Sequence, residues 1–206
     1  MSPYTVYIIT LAVLAGCIVY LDVKHNLLRD TSTATHRPYS FSRVQLAWWT
    51  IIILASFASI IMAKGVPTLD GSTLILLGIS SATTGAGRIT DLSDQTNQNA
   101  RSQDEESDGF FLDLLSDKNG VSIHRFQALV FNATFGIWFV SQVWTNLPVE
   151  TASRIIPVID TNNLILLGLS SGTYAALKVT ENKSTGVTPP EYVRDEATSG
   201  SAQGEG

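Results

Sequence analysis

Five apolar stretches separated by polar segments dominate the hydrophobicity pattern of the chain. They cover residues 4–21, 44–63, 71–87, 126–145 and 161–177. Each approaches the ~20 residues that a helix needs to cross the hydrocarbon core of a bilayer. The last three stretches are rich in Ser, Thr, Gly, Asn or Gln, so we expect their helices to pack against other helices rather than face lipid alone. The pattern predicts an all-α integral membrane protein with five transmembrane helices.

The positions of the basic residues predict the orientation of these helices, because Lys and Arg are enriched in cytoplasmic segments. If the N-terminus is outside, only Lys64 and Arg154 of the 13 basic residues fall on the outer side. Re-entrant third and fifth segments would move Arg88 and Arg125 to the outside, so we favour five full spans. We expect a plasma (bacterial inner) membrane location, with the N-terminus outside and the C-terminus in the cytoplasm.

An internal repeat relates the second and third spans to the fourth and fifth. The motif Leu-Ile-Leu-Leu-Gly-(Ile/Leu)-Ser-Ser occurs at 74–81 and again at 164–171, each time four residues after an Asp. An Arg-x-Gln motif opens the second and fourth spans at 43–45 and 125–127. Each copy holds two spans, so both copies have the same orientation and their pseudo-twofold axis lies along the membrane normal. We predict a first helix followed by two repeated helical hairpins (2+2).

This organisation divides the chain into six segments. They are an N-terminal transmembrane helix (1–23), a cytoplasmic linker (24–41), hairpin repeat 1 (42–88), an acidic cytoplasmic loop (89–121), hairpin repeat 2 (122–180) and a cytoplasmic tail predicted to be disordered (181–206). The acidic loop carries a short apolar patch, Phe110, Phe111, Leu114 and Leu115. The patch either lies at the headgroup boundary or is a docking site for a cytoplasmic protein.

Small residues recur at helical spacing in the third and fifth spans. They are Gly78, Ser81, Ala82 and Gly85 in the third span, and Gly168, Ser171, Gly172 and Ala175 in the fifth. Small side chains let two helix backbones approach closely, and neighbouring hydroxyls can bond across the contact. The alternative is a polar pore lining made by the Ser and Thr side chains. Both interpretations remain open for different faces of these helices.

Polar residues at the helix ends also repeat. Asp70 and Asp160 precede the third and fifth spans, where each is an N-cap or part of a ring at a pore mouth. Arg43 and Arg125 are predicted at cytoplasmic helix ends, from which they reach the headgroups.

Gln45 and Gln127 lie two residues deeper than these arginines, where a polar side chain bonds a neighbouring helix or contacts a partner. Trp48 and Trp49 are interpreted as part of an aromatic belt at the inner boundary.

Composition narrows the function classes. The chain is 45% hydrophobic and 15% charged, against about 25% charged in soluble domains. A net charge of −5 without a basic face argues against nucleic-acid binding. The single cysteine, Cys17, excludes a disulfide within the chain and a Cys-based zinc site. We find no phosphate-binding loop, metal-ligand set or nucleophile arrangement, so we predict no cofactor, no metal and no enzymatic activity.

Two function hypotheses follow. The first is a non-enzymatic membrane subunit that anchors or senses for a larger assembly, with a cytoplasmic protein, membrane lipid and copies of itself as partners. The alternative is a homo-oligomeric ion channel or small-solute carrier lined by the Ser/Thr-rich halves of the third and fifth spans. No Asp, Glu, Lys or Arg lies between the predicted helix ends, which argues against a proton pump or a voltage sensor.

Overall fold

The computed structural model describes residues 2–67, 71–96, 106–117, 120–148 and 151–181, and these residues are mostly helical. Asp70, residues 97–105 of the acidic loop and the predicted tail beyond residue 181 lie outside the described residues.

Six helices and one small sheet make up the described chain. The helices are α1 (Pro3–His25), α2 (Phe41–Lys64), α3 (Gly71–Thr96), α4 (Phe110–Leu115), α5 (Ile123–Asn146) and α6 (Thr161–Glu181). The sheet pairs β1 (Ser116–Asp117) with β2 (Gly120–Val121) in antiparallel register. Every predicted apolar stretch lies within a helix.

Three of the helices are long and apolar enough to cross a membrane. These are α1, α2 and α5, with 23, 24 and 24 residues and mean hydropathies of 2.3, 2.1 and 1.2. Their length and composition indicate a membrane protein. Helices α3 and α6 have similar lengths, 26 and 21 residues, but their Ser, Thr and Gly content makes them less hydrophobic. The five-span count stays a prediction.

Local chemistry explains where the apolar helices begin and end. Helix α1 has Pro3 at its first position, where the missing N–H costs no hydrogen bond. It ends at Asn26, whose left-handed conformation (φ 55°) directs its N–H to the carbonyl of Asp22. Helix α2 ends at Gly65, with φ 96°, a conformation that glycine adopts without a β-carbon clash.

Helices α2, α3, α6 and α5 form a ring in which each helix packs against two neighbours. Helix α1 lies outside the ring, along α2, and the ring of Tyr4 packs 4.6 Å from that of Trp144 in α5. The buried core contains Trp49 of α2, Phe139 of α5 and Leu167 of α6. The ring joins consecutive helices, α2 to α3 and α5 to α6, and joins these two pairs to each other.

One end of the bundle, which we call the linker end, holds residues 26–40 and α4. Thr84 in the second half of α3 donates through Oγ1 to the carbonyl of Ser42, at 3.1 Å. The ring of Tyr174 in α6 packs 4.8 Å from that of Phe41. The C-terminal halves of α3 and α6 therefore reach the linker end.

The first turns of α3 and the segment before α6 meet at the opposite end. The backbone N–H of Ile159 donates to Oγ of Ser72, at 3.0 Å. Nζ of Lys64, at the end of α2, is 3.3 Å from the carbonyl oxygen of Pro148. Helices α3 and α6 thus extend between the two ends of the bundle, as α2 and α5 do.

Candidate functional site

The apolar patch of the acidic loop forms α4 at the linker end. Leu114 is buried and packs with Phe41, Ala128 and Tyr174. Phe110 is 39% exposed and Phe111 is 70% exposed. Leu114 therefore attaches the helix to the bundle, Phe110 packs with its ring 5.0 Å from that of Tyr39 in the linker, and Phe111 is the more exposed of the two phenylalanines.

An apolar cavity of about 300 Å³ lies between α4 and helices α2 and α5. Its apolar lining includes Phe41, Val44, Trp48, Phe110, Phe111 and Leu114. The polar side chains at its wall are those of Gln45 and Asn132. A pocket with this lining suits an apolar group.

Asp113 holds α4 in position. Its carboxylate accepts hydrogen bonds from the N–H of Tyr39 at 3.0 Å, from Oγ of Ser107 at 2.6 Å and from the N–H of Asp108 at 3.0 Å. In the sequence this residue is only an acidic interruption of the apolar patch. Its spacing from Ser107 carries no signal that would identify a tether to the linker.

Glu106 joins the acidic loop to the linker a second time. Its two carboxylate oxygens accept from the backbone N–H groups of Thr35 at 3.2 Å and His36 at 3.0 Å. The N–H of Ser107 in turn donates to the carbonyl of His36, at 3.0 Å. Two loops that are about 70 residues apart in the chain leave no repeating pattern that would show they are in contact. The sequence analysis therefore missed this contact.

Gln45 and Ser171, both predicted site residues, meet in the structure. Nε2 of Gln45 donates to Oγ of Ser171 at 2.9 Å in a buried contact between α2 and α6. The buried Oε1 of Gln45 has no hydrogen-bond partner. Gln127, the residue at the same place in the repeat, is exposed. The two glutamines therefore have different surroundings.

The two repeated arginines also differ in their contacts. Arg43 donates through Nη1 to the carbonyl of Leu27, at 3.4 Å. The guanidinium of Arg125 lies over the ring of Tyr174, 5.3 Å from its centroid, in a cation–π arrangement.

A tryptophan–asparagine joint connects α2 to α5. Nε1 of Trp49 donates to Oδ1 of Asn132 at 2.8 Å, and Nε1 of Trp48 donates to the Asn132 carbonyl at 3.1 Å. Nδ2 of Asn132 donates to the carbonyl of Ala128 at 2.8 Å. Trp49 is fully buried, so the aromatic-belt interpretation is wrong for this residue. The sequence does contain a sign of this contact, because Asn132 is a polar residue within an apolar stretch.

Gly136 leaves room for the Trp48 indole at this contact. A β-carbon at Gly136 would lie 2.6 Å from Cε2 and Cζ2 of the Trp48 indole. The absence of a side chain there lets the indole lie directly on the backbone of α5.

Small residues line the groove between α3 and α6, which has a volume of about 280 Å³. Its wall is formed by Ile79, Ala82, Thr83 and Ala86 of α3 and by Gly168, Ser171, Gly172 and Ala175 of α6. All four predicted residues of α6 thus face α3. Of the four in α3, Ala82 alone lines the groove, and all four are exposed.

Asp160 lies directly before α6. Its Oδ1 accepts from the N–H of Asn162 at 2.8 Å, which is the bond that an N-cap makes. Asp70, its predicted counterpart, lies outside the described residues.

Within the described ranges, no three His, Cys, Asp or Glu side chains group in a way that could hold a metal ion. Comparisons with protein-family models, curated proteins and solved structures find no match to the chain.

Proposed function

We propose that the protein is a non-enzymatic, multi-pass membrane subunit that anchors or senses for a larger assembly and docks a soluble protein at α4. One observation carries this proposal. Phe110 and Phe111 are exposed beside an apolar cavity at the linker end. The Asp113 carboxylate holds their helix in place, so the surface is preorganised for binding.

The surroundings of α4 define the chemistry of the partner. The acidic loop contains eight Asp and Glu residues but only Arg101 and Lys118 as basic residues. A partner with a basic rim and an apolar side chain at its centre complements this surface. The apolar side chain would enter the cavity, and the charges would steer the encounter.

The five-span topology and the 2+2 repeat are part of the same proposal. They are supported by the four-helix ring and by the contacts of α3 and α6 at both ends of the bundle. The distribution of Lys and Arg supports an inner-membrane orientation with the N-terminus outside. In this orientation the linker end is cytoplasmic, where a soluble partner can reach it.

Cysteine accessibility tests this topology. In a Cys17→Ser background, cysteines at positions 66 and 150 should react with an impermeant maleimide added outside, whereas cysteines at 100 and 200 should not. Labelling of positions 66 and 100 from the same side would exclude α3 as a span.

Docking is tested with the full chain, purified in mild detergent from its native host. We expect a stoichiometric soluble companion that the Phe111→Asp variant loses by about tenfold or more, because one hot-spot side chain contributes ~2 kcal/mol. Val158→Asp is the matched control, since Val158 is equally exposed (69%) but lies at the opposite end. Equal recovery of the companion with both variants would refute docking at α4.

A homo-oligomeric channel or carrier is the second candidate. It is favoured by the exposed small face of α3, Gly78, Ser81 and Gly85, which is a suitable contact for another copy. Hydrogen bonding within the helices argues against it, because Thr83 in the groove donates to a carbonyl of α3 and the neighbouring Ser170 donates to a carbonyl of α6. Purification of a defined homo-oligomer without a companion, followed by ion or solute flux in liposomes, would favour this candidate.

A further inference from the structure

A cavity lies at the linker end, between α1, α2, α3 and the linker. Its volume is about 510 Å³. Its lining includes the apolar residues Ile18, Leu46 and Ala47 and the basic residues Arg43 and Arg88. The cavity therefore has an apolar wall and a cationic part, as an amphipathic ligand requires.

The two arginines retain most of their hydrogen-bonding capacity. Arg43 contacts the carbonyl of Leu27 at 3.4 Å, and Arg88 donates to the hydroxyl of Thr31. Within the described chain, neither guanidinium forms an ion pair. Each guanidinium has five N–H donors in a planar fork that matches the oxygens of a phosphate group.

Two carboxylates limit the charge of an anion that fits. Asp30 and Asp91 also line the cavity, both buried and each with contacts of its own. The formal charges of the two arginines and the two aspartates cancel. A polyanion would leave a large negative excess in such a site, whereas a zwitterionic phospholipid, with one phosphodiester and one ammonium group, leaves the sum of charges at zero.

The apolar residues of the lining indicate that the rest of the ligand is a hydrocarbon chain. Arg43 is in the first turn of α2, and the lining continues to Thr50, which is about 10 Å further along the helix. This length covers part of an acyl chain whose headgroup lies at the helix ends. In the proposed topology, the two arginines are at the cytoplasmic membrane boundary.

We propose that this cavity binds one membrane glycerophospholipid, with its phosphodiester between Arg43 and Arg88 and an acyl chain against Ile18, Leu46 and Ala47. The shared chemistry is a phosphate ester, and the apolar wall selects a lipid over a soluble ester.

Native mass spectrometry of the delipidated full chain tests the site, with dioleoylphosphatidylethanolamine as the probe. The R43Q/R88Q double variant should bind this lipid on the order of tenfold more weakly, because it loses charge-assisted hydrogen bonds. An R37Q/R154Q variant, which has the same change in charge at exposed positions, should bind like the original chain. Equal lipid binding by both double variants would overturn the proposal.

Two further probes separate phosphate recognition from its alternatives. Dioleoylglycerol has the same acyl chains without the phosphodiester and should bind at least about tenfold more weakly. Equal binding would mean that the cavity recognises acyl chains alone, which contradicts the proposal. Soluble sn-glycerol 3-phosphate should not displace the lipid, and displacement at an equal concentration would assign the site to a free phosphate ester instead.

A variant that leaves both arginines in place guards against misfolding of R43Q/R88Q. Ala47→Trp fills the apolar wall and should also weaken lipid binding by about tenfold or more. Unchanged lipid binding by a folded Ala47→Trp protein would refute the acyl-chain placement.

Discussion

The α2–α5 and α3–α6 contacts of the ring both join the α2–α3 pair to the α5–α6 pair, and they use different physical means. Between α2 and α5, two indole N–H groups donate to Asn132, and Trp48 lies on Gly136. Between α3 and α6, small side chains face each other across a groove of about 280 Å³, and the hydroxyl of Thr83 is bonded within its own helix.

The difference shows that one contact of the ring determines the relative orientation of two helices, while the other allows two helices to lie close together. Hydrogen bonds are directional, so the Trp–Asn joint determines how α5 is rotated about its axis and where it lies along that axis relative to α2. Small residues let α3 and α6 come close, but their contact contains few directional bonds. We therefore expect changes in the first contact to cost more stability than equivalent changes in the second.

The largest effect is expected for Trp49→Ala. The change removes a fully buried indole and its bond to Asn132, and leaves a cavity. The expected loss of unfolding free energy is about 3–5 kcal/mol. Unfolding of the full chain in mixed micelles, followed by circular dichroism, measures it. Ile137→Ala on the exposed face of α5 is the control, with an expected change under about 0.5 kcal/mol. Similar losses in both variants would remove the special role of the joint.

Gly136→Ala should have the next largest effect. The new methyl group would overlap the Trp48 indole, and overpacking of this kind costs about 1–3 kcal/mol. Gly172→Ala makes the same chemical change on the α3–α6 side, where no atom lies within 4 Å of the added β-carbon. Its expected effect is within about 0.5 kcal/mol. If Gly172→Ala destabilised the protein as much as Gly136→Ala, the two contacts would be equally demanding.

The Gln45–Ser171 bond should give the smallest effect, because a hydrogen bond between membrane helices contributes about 0.6 kcal/mol on average. A double-mutant cycle with Gln45→Leu and Ser171→Ala measures this coupling. Gln45→Leu alone should be nearly neutral, since it also removes the buried, unpartnered Oε1. A coupling above about 2 kcal/mol would show that α2 and α6 are joined as specifically as α2 and α5.

Long apolar stretches in the sequence were sufficient to predict α1, α2, α3, α5 and α6 as helices. All five apolar stretches lie within helices, and three of these have the length and composition of membrane spans. The sequence also identified Gln45 and Ser171 as candidate residues, though not as partners of each other. Apolar runs and helical spacing are local properties, so they can be read from the chain directly.

The positions of the loops could not be predicted in the same way. Asp113 binds Tyr39 across 74 residues, and Glu106 binds the linker over a similar separation. Such contacts depend on where the helix ends lie in space. The aromatic-belt interpretation of Trp49 fails for the same reason. The sequence does not show that Asn132 of α5 lies beside Trp49 in the core.

The Trp–Asn joint also bears on the symmetry between the predicted repeats. The alignment of the two repeats that matches Arg43 with Arg125 also matches Trp49 with Phe131 and Thr50 with Asn132. One hairpin thus supplies the indole donor and the other supplies the amide acceptor, and neither supplies both. In the same arrangement, two copies of the first hairpin would set Trp49 against Thr50, and two copies of the second would set Phe131 against Asn132, so neither pair would form the indole–amide bond. Complementarity of this kind requires two unlike halves, and covalent linkage in one chain ensures that each half always meets the other.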